Sequence, residues 1–374
     1  MKGLFTYTQA RARFVEAVRA AGGGVVQSIL SPSQGPSGEP LFVDVARVGP
    51  SEASRRLVLL SGVHGVEGLC GSMLQSTFLE AGRISAIAPD TAVVLIHAVN
   101  PFGFSWGRRV TEEGVDLNRN FVDFDGSLPV NPEFDAHLAD LLTPNPARRH
   151  SADEELMRWF IARGATARGI VAGGQFDHPK APFYGGRAPT WARTTLESVL
   201  RAQVAEADRL AVIDYHTGLG AKGTGQLIGS SSALPDEIAA GRAAWGASYV
   251  SPGGNGSVSY RLVGDALGAV RQLSKASVYA AAVHEFGTVS ELEVMSALRD
   301  DHGAHLTGSE SDVLRARAAM ISAFFPSGDD WVSDVCTAAA EAVASALLWL
   351  ALVDDLPEPS NAKPPTGART NNSV

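Results

Sequence analysis

The chain has 374 residues, 45% hydrophobic and 19% charged, enough for one large α/β domain or two smaller ones in an ordinary soluble globular protein. Its net charge of −9, with no basic block to offset it, argues against a nucleic-acid partner. Two cysteines without paired spacing, Cys70 and Cys336, exclude a disulfide framework and disfavour a thiolate metal site.

The predicted elements begin with a surface helix at residues 8–22, which Gly22-Gly-Gly24 ends. Strand-like runs follow at 41–48, 57–60, 92–98, 210–215 and 278–283. Helical patterns lie between and after them, at 69–81, 153–168, 191–206, 235–245, 291–299 and 312–324. This alternation predicts an α/β fold with a mixed, mainly parallel sheet and helices on both faces, since several runs are apolar throughout.

We expect a single catalytic domain at residues 1–353, with a long Gly- and Pro-containing insertion at about 123–188. The polar tail 354–374 is predicted to be disordered. Residues 1–9 lack an apolar export signal, and the apolar run 344–353 is shorter than the about 20 residues of a membrane span. The sequence therefore predicts a cytoplasmic protein without a membrane partner.

His64 and Glu67 follow the run 57–60 and can close on one metal ion from the end of a strand. Zinc prefers such nitrogen and oxygen ligands, and a hydrolytic zinc site keeps one position open. An HxxE pattern also occurs by chance, with the histidine ending a strand and the glutamate as a favourable first-turn charge of a helix. Gly62, Gly65 and Gly68 favour the metal site, because glycines let the backbone turn tightly.

Two later strand ends carry further candidates. Period-two alternation places Asp214 and His216 on one face, so His216 can be a third ligand and Asp214 can orient its imidazole. Glu285 closes an apolar strand, where a carboxylate is costly unless it has a partner or a task, and is the candidate general base. Its neighbour His284 must face the opposite side and is expected to pack in the core.

The segment around Asp116, Asn118 and Arg119 gathers amide and charged groups, with Arg108 and Arg109 shortly before it. A guanidinium can hold a carboxylate by two parallel hydrogen bonds, and another can stabilise an oxyanion at a scissile carbonyl. The alternative is a surface loop with solvated arginines.

In this order the HxxE, DLNRN, DYHTG and EFG motifs resemble those of the zinc carboxypeptidase (carboxypeptidase A-like metallopeptidase) superfamily, over roughly residues 55–290. More narrowly, the segments 100–103 and 173–186 resemble a bacterial branch of it. The resemblance implies a carboxypeptidase-like fold and a Zn²⁺ ion.

The resemblance also implies a role for each matching residue. Three would be zinc ligands, namely His64, Glu67 and His216, with Glu285 as general base. Arg109, or less favourably Arg108, would polarise the carbonyl, and Asp116 would orient the first histidine. The substrate would be held by Asn118 and Arg119 at its carboxylate and by Tyr260, through a looser match of residues 256–260.

The resemblance and the residues together predict a zinc-dependent hydrolase of amide or peptide bonds. The chain departs from the digestive members, since no signal or pro-segment pattern precedes the domain and the segment 173–186 is foreign to them. A small peptide or acylated amino acid is therefore the expected substrate. The alternatives are an N-acyl amino acid deacylase of the aspartoacylase or succinylglutamate desuccinylase type, which a pocket closed by 173–186 would favour, and a metal-free binding protein on the same fold.

Overall fold

The computed structural model describes residues 6–82, 87–144, 146–326 and 328–352. Within these ranges one eight-stranded sheet has the order β1-β2-β4-β3-β5-β8-β6-β7. Its strands are β1 Gly24–Gln34, β2 Pro40–Val48, β3 Arg55–Ser61, β4 Thr91–His97, β5 Arg209–Lys222, β6 Gly225–Ile228, β7 Tyr249–Val250 and β8 Val278–Gly287. The four central strands, β4-β3-β5-β8, are parallel to one another, whereas β2 pairs with β4 and β6 with β8 in antiparallel fashion.

Helices cover both faces of this sheet. They are α1 Tyr7–Ala20, α2 Gly68–Glu80, α3 Pro101–Trp106, α4 Ala136–Leu142, α5 Arg149–Arg163, α6 Ala167–Ala172, α7 Trp191–Val204, α8 Pro235–Trp245, α9 Ala266–Leu273, α10 Glu291–Thr307, α11 Glu310–Phe324 and α12 Asp329–Leu352. Leu57 and Leu59 of β3 pack with α1, α2, α8 and α12, whereas Val58 and Leu60 pack with α7 and α9. The mixed α/β fold with a mainly parallel sheet is therefore confirmed. Successive residues of the run 57–60 face opposite sides of the sheet, and every position is apolar because helices cover both sides.

Each strand and helix predicted from the sequence is present, but several bounds differ. The helix predicted at 153–168 is two helices, because Gly164 at φ 54° and a 3₁₀ turn over 164–166 separate α5 from α6. Helix α10 continues to Thr307, eight residues beyond its predicted end. The prediction missed seven elements, β1, β6, β7, α3, α4, α9 and α12.

Helix α12 is longer than the apolar run 344–353 suggested. It has 24 residues and is the one helix in the described ranges whose length and composition would allow it to cross a membrane. Trp331, Val335 and Trp349 are nevertheless buried in the sheet core. One face of α12 therefore packs on the sheet, whereas 39% of its apolar window is buried overall and Leu348 and Leu352 are 61% and 57% exposed. The tail 354–374 lies outside the described residues.

Candidate metal centre

The first pair of predicted ligands lies in a tight turn at the carboxyl end of β3. His64 precedes a single 3₁₀ turn over Gly65–Glu67, and α2 begins at Gly68. The turn packs against the backbone, since a Cβ atom on Gly65 would lie 2.1 Å from the carbonyl carbon of Gly103. The Gly65 and Val66 N–H groups donate to the carbonyl oxygens of residues 109 and 108. Only glycine fits at position 65, and the tight turn that it allows brings the side chains of His64 and Glu67 close together.

The third predicted ligand comes from the neighbouring parallel strand. His216 lies on β5 beside β3, and its imidazole is 3% exposed. Its Nδ1 atom lies 3.0 Å from His64 Nδ1 and 3.0 Å from Glu67 Oε2, while His64 Nδ1 lies 3.0 Å from Glu67 Oε1. Tetrahedral ligands at about 2.0 Å from zinc lie about 3.3 Å apart, so a triangle of this size matches a metal site.

Carboxylates behind the two histidines determine which ring nitrogen faces this centre. His64 Nε2 lies 3.0 Å from Asp116 Oδ1, and His216 Nε2 lies 2.7 Å from Asp214 Oδ2. A carboxylate accepts the Nε2 proton and so leaves the lone pair on Nδ1. With both histidines neutral, two lone pairs and the Glu67 carboxylate would face one another, and a cation bound there would relieve their repulsion. His64, Glu67 and His216 form a cluster that could hold a metal ion.

The pKa values of Glu67 and His216 also favour a positive charge at the centre of the cluster. Burial disfavours the charged form of Glu67, but His64 and His216 outweigh it and hold the pKa of that carboxyl well below its usual range. Burial also disfavours an imidazolium at His216, yet Asp214 and Glu67 raise the pKa of His216 well above its ordinary value. The residues present therefore fit a divalent cation such as zinc.

Glu285 lies beside this centre, opposite His216 in the register of β5 and β8. Its Oε1 atom accepts a hydrogen bond of 3.0 Å from the Leu219 N–H group, and 8% of the residue is exposed. Burial and the negative charge of Glu67 raise the pKa of Glu285 to about 7. A carboxylate that titrates near neutral pH is well suited to accept a proton.

The structure separates the two adjacent arginines. Arg108 points away from the cavity and forms a buried ion pair with Asp301 of α10, with Nε 3.0 Å from Oδ2. Arg109 lines the cavity, where Nη1 donates to Glu67 Oε1 and Nε donates to Asp116 Oδ2, each at 3.0 Å. These two bonds do not involve Nη2 of Arg109, whereas the guanidinium of Arg108 is held at Asp301.

Asn118 and Arg119 also line the cavity, but both make structural bonds. Asn118 Oδ1 accepts from the Ala266 N–H group at the start of α9 (2.9 Å). Arg119 Nε and Nη2 donate to the carbonyl oxygen of Ala172 at the end of α6, and Nη1 donates to its neighbour's carbonyl oxygen. The guanidinium is 1% exposed and therefore oriented by the insertion.

One cavity of about 690 Å³ contains the cluster and these neighbours. Tyr260 lines it, and burial raises the pKa of its phenol. Phe183 also lines it, with Arg109 and Arg119 lying 5.5 and 6.0 Å from the centre of its ring. Phe183 is the residue through which the segment 173–186 contributes to the cavity wall.

Some residues at strand ends lie elsewhere. Asn100 does not line the cavity, and instead caps α3 and donates to the carbonyl oxygen of Arg109. His284 packs between Tyr215 and Phe286 in the core, as expected. The N–H groups of Thr217 and Leu219 donate to Glu67 and Glu285 and were not predicted from the sequence. Backbone donors carry no residue-type signal and can be found only from the structure.

Comparison with known proteins gives a family match over most of the chain. The model of a family described as "Protein of unknown function (DUF2817)" matches residues 4–338. No curated protein matches.

Solved structures similar to this chain include carboxypeptidase A from Helicoverpa armigera (14% identity, TM-score 0.47, 85% of this chain and 74% of that one). Bovine thrombin-activatable fibrinolysis inhibitor, in complex with tick carboxypeptidase inhibitor, has 14% identity and a TM-score of 0.44 over 91% of this chain and 97% of that one. Succinylglutamate desuccinylase from Chromobacterium violaceum has 15% identity and a TM-score of 0.38 over 84% and 74%. At these identities the likeness concerns the fold.

Proposed function

The chain belongs to the family of proteins of unknown function DUF2817, and we propose that it is a zinc-dependent hydrolase that cleaves an amide bond next to a free carboxylate. The observation that carries this proposal is the convergence of His64 Nδ1, His216 Nδ1 and the Glu67 carboxylate at 3.0 Å beside Glu285. Zinc held by these three residues would polarise a carbonyl group and acidify a water molecule.

The remaining steps fall to the side chains around this centre. Glu285 accepts a proton from the attacking water at its carboxylate and donates it to the departing amine nitrogen. Arg109 presents Nη2 to the oxygen of the scissile carbonyl, where negative charge develops. Its bonds to Glu67 and Asp116 fix the guanidinium before substrate binds.

Arg119 and Asn118 would hold the free carboxylate of the substrate. Three donor atoms of Arg119 are bonded to backbone carbonyl oxygens, and the hydrogens left on Nη1 and Nη2 are available to a carboxylate. Tyr260 lies beside both arginines, whose charges act on its phenol. This arrangement makes the activity carboxypeptidase-like.

A second candidate is deacylation of a small N-acyl amino acid by the same residues. The cavity of about 690 Å³ suits a ligand of drug-like size. Helices α5 and α6 of the insertion supply part of its wall. An acylated amino acid fits this volume, as does a short peptide.

The test begins with metal content. Wild-type protein purified without chelator should contain about one zinc per chain, and His216→Ala should lose it. His97→Ala is the matched control, since His97 is an equally buried strand histidine that stacks on Phe14 outside the cavity. Normal zinc content in His216→Ala would overturn the ligand assignment.

The second step measures turnover of N-acyl amino acids and dipeptides. Glu285→Gln should retain zinc but lose at least about 100-fold in kcat, because the amide cannot accept the proton. Glu237→Gln is the control, since Glu237 is equally buried but lies outside the cavity. Zinc binding without hydrolysis of any substrate by wild type would refute the proposed activity.

A further inference from the structure

Part of the cavity, called the apolar arm, is lined by residues of α5 and α10 rather than by the metal centre. This arm is formed by one face of α5 and the N-terminal half of α10, and its seven apolar side chains are Leu156, Met157, Phe160, Leu292, Val294, Met295 and Leu298. The arm belongs partly to the insertion, because α5 lies within residues 123–188. None of the residues assigned above to the reaction lies in it.

Charged residues also line the arm, but they neutralise one another. Arg149 pairs with Asp153 and Asp300, Arg299 pairs with Asp153, and Arg168 pairs with Glu291 at 2.7 Å. These ion pairs connect α5 and α6 to α10. A ligand in the arm therefore meets three arginines that already have carboxylate partners, together with apolar side chains, and little uncompensated charge.

The arm ends at the surface. Met157 is 45% exposed and Leu292 is 69% exposed, although both line the cavity. Arg119 and Asn118, by contrast, are 1% and 4% exposed. If these two residues hold the substrate carboxylate and the scissile bond lies at the metal centre, as the proposed function requires, the acyl group remains to occupy the arm.

We propose that the apolar arm binds the acyl part of the substrate and that this acyl part is a long, unbranched hydrocarbon chain. The inference rests on the proposed function for the direction in which the substrate lies, and it names the substrate class as N-acyl amino acids with medium or long acyl chains. Each methylene group buried there should raise affinity by up to about fourfold, from the free energy of transfer of a methylene group out of water.

Binding can be measured without turnover by titration calorimetry on the zinc-free protein. The ligands are N-acetyl-, N-hexanoyl- and N-decanoyl-alanine, since alanine places no demand on the pocket around the amino acid. We expect at least about 100-fold tighter binding of the decanoyl than of the acetyl compound. Equal affinity across the series would overturn the inference.

The matched variants lie on the same two helices. Met157→Ser with Leu292→Ser should reduce the decanoyl-to-acetyl ratio at least about tenfold. Ile161→Ser with Leu306→Ser should leave it unchanged, because Ile161 on α5 and Leu306 on α10 are exposed but do not line the cavity. Equal loss in both double variants would overturn the assignment to this arm.

Turnover by the zinc-loaded protein separates this inference from the proposed function. The value of kcat/KM should rise along the same acyl series, and should change less along N-acetyl derivatives of alanine, leucine and phenylalanine. A preference carried by the amino acid side chain instead would overturn the acyl assignment. Chain-length-dependent binding without hydrolysis would refute the proposed function and leave the arm as an acyl-binding site.

Discussion

Replacing Asp214 with asparagine should weaken zinc binding while leaving the three proposed ligands in place. Asp214 Oδ2 accepts from His216 Nε2 at 2.7 Å, and both residues are buried. The carboxylate makes the imidazole more basic and keeps its proton on Nε2. Loss of such a partner reduces metal affinity about 10- to 100-fold, which corresponds to about 1.4–2.7 kcal/mol.

The same substitution should also destabilise the zinc-free protein. Asp214 Oδ1 is buried and has no hydrogen-bond partner among the described residues. If the asparagine carbonyl oxygen accepts from His216, its NH₂ group occupies the Oδ1 position as a buried donor. An unsatisfied buried donor costs about 1–3 kcal/mol. Chemical denaturation of the chelator-treated protein would measure this cost separately from zinc affinity.

Zinc affinity is measured by competition with a chromophoric chelator. Asp44→Asn is the matched control, because Asp44 on β2 is equally buried but accepts hydrogen bonds from Arg11 and Ser28, away from the cavity. It should lose stability without losing zinc affinity. Wild-type affinity in Asp214→Asn, or an equal fall in both variants, would refute the reasoning that the carboxylate tunes the ligand.

Three further outcomes are expected. Arg119→Lys should lower kcat/KM at least about tenfold for substrates with a free carboxylate but not for their amides, because one ammonium group cannot replace the planar guanidinium held at Ala172. Equal effects on both kinds of substrate would make Arg119 structural. Gly65→Ala should lose zinc and at least about 2 kcal/mol of stability, since its Cβ would collide with the Gly103 backbone, and a normal melting temperature would contradict this. Burial lowers the pKa of His284 to about 3. As the pH falls from about 6.5 toward 3, only the unfolded chain gains a proton at this residue, so the folded state loses stability. His284→Leu should make that loss of stability with falling pH shallower, and an unchanged slope of unfolding free energy against pH would contradict the prediction.

The central strands, and the candidate site residues His64, Glu67, His216 and Glu285, could be predicted from the sequence. Runs such as 57–60 and 210–215 are apolar at every position, because the sheet is covered on both faces, and this pattern is local. His216 directly follows the run 210–215, and His64 and Glu285 follow the runs 57–60 and 278–283 within four residues. Because β3, β5 and β8 are parallel neighbours, these positions come together, although β5 continues to Lys222. Local sequence therefore determined which groups could meet.

Only the tertiary structure decided how those groups and their neighbours are arranged. The short strands β6 and β7 and the long helix α12 owe their form to packing partners far along the chain. Likewise, Arg108 and Arg109 are equivalent in the sequence, and only a contact 193 residues away, with Asp301, removes Arg108 from the site. The apolar arm also needs α5 and α10 side by side, more than a hundred residues apart in the sequence. Contacts of this range leave no periodic signal in a single sequence, because each depends on how distant segments fold against each other.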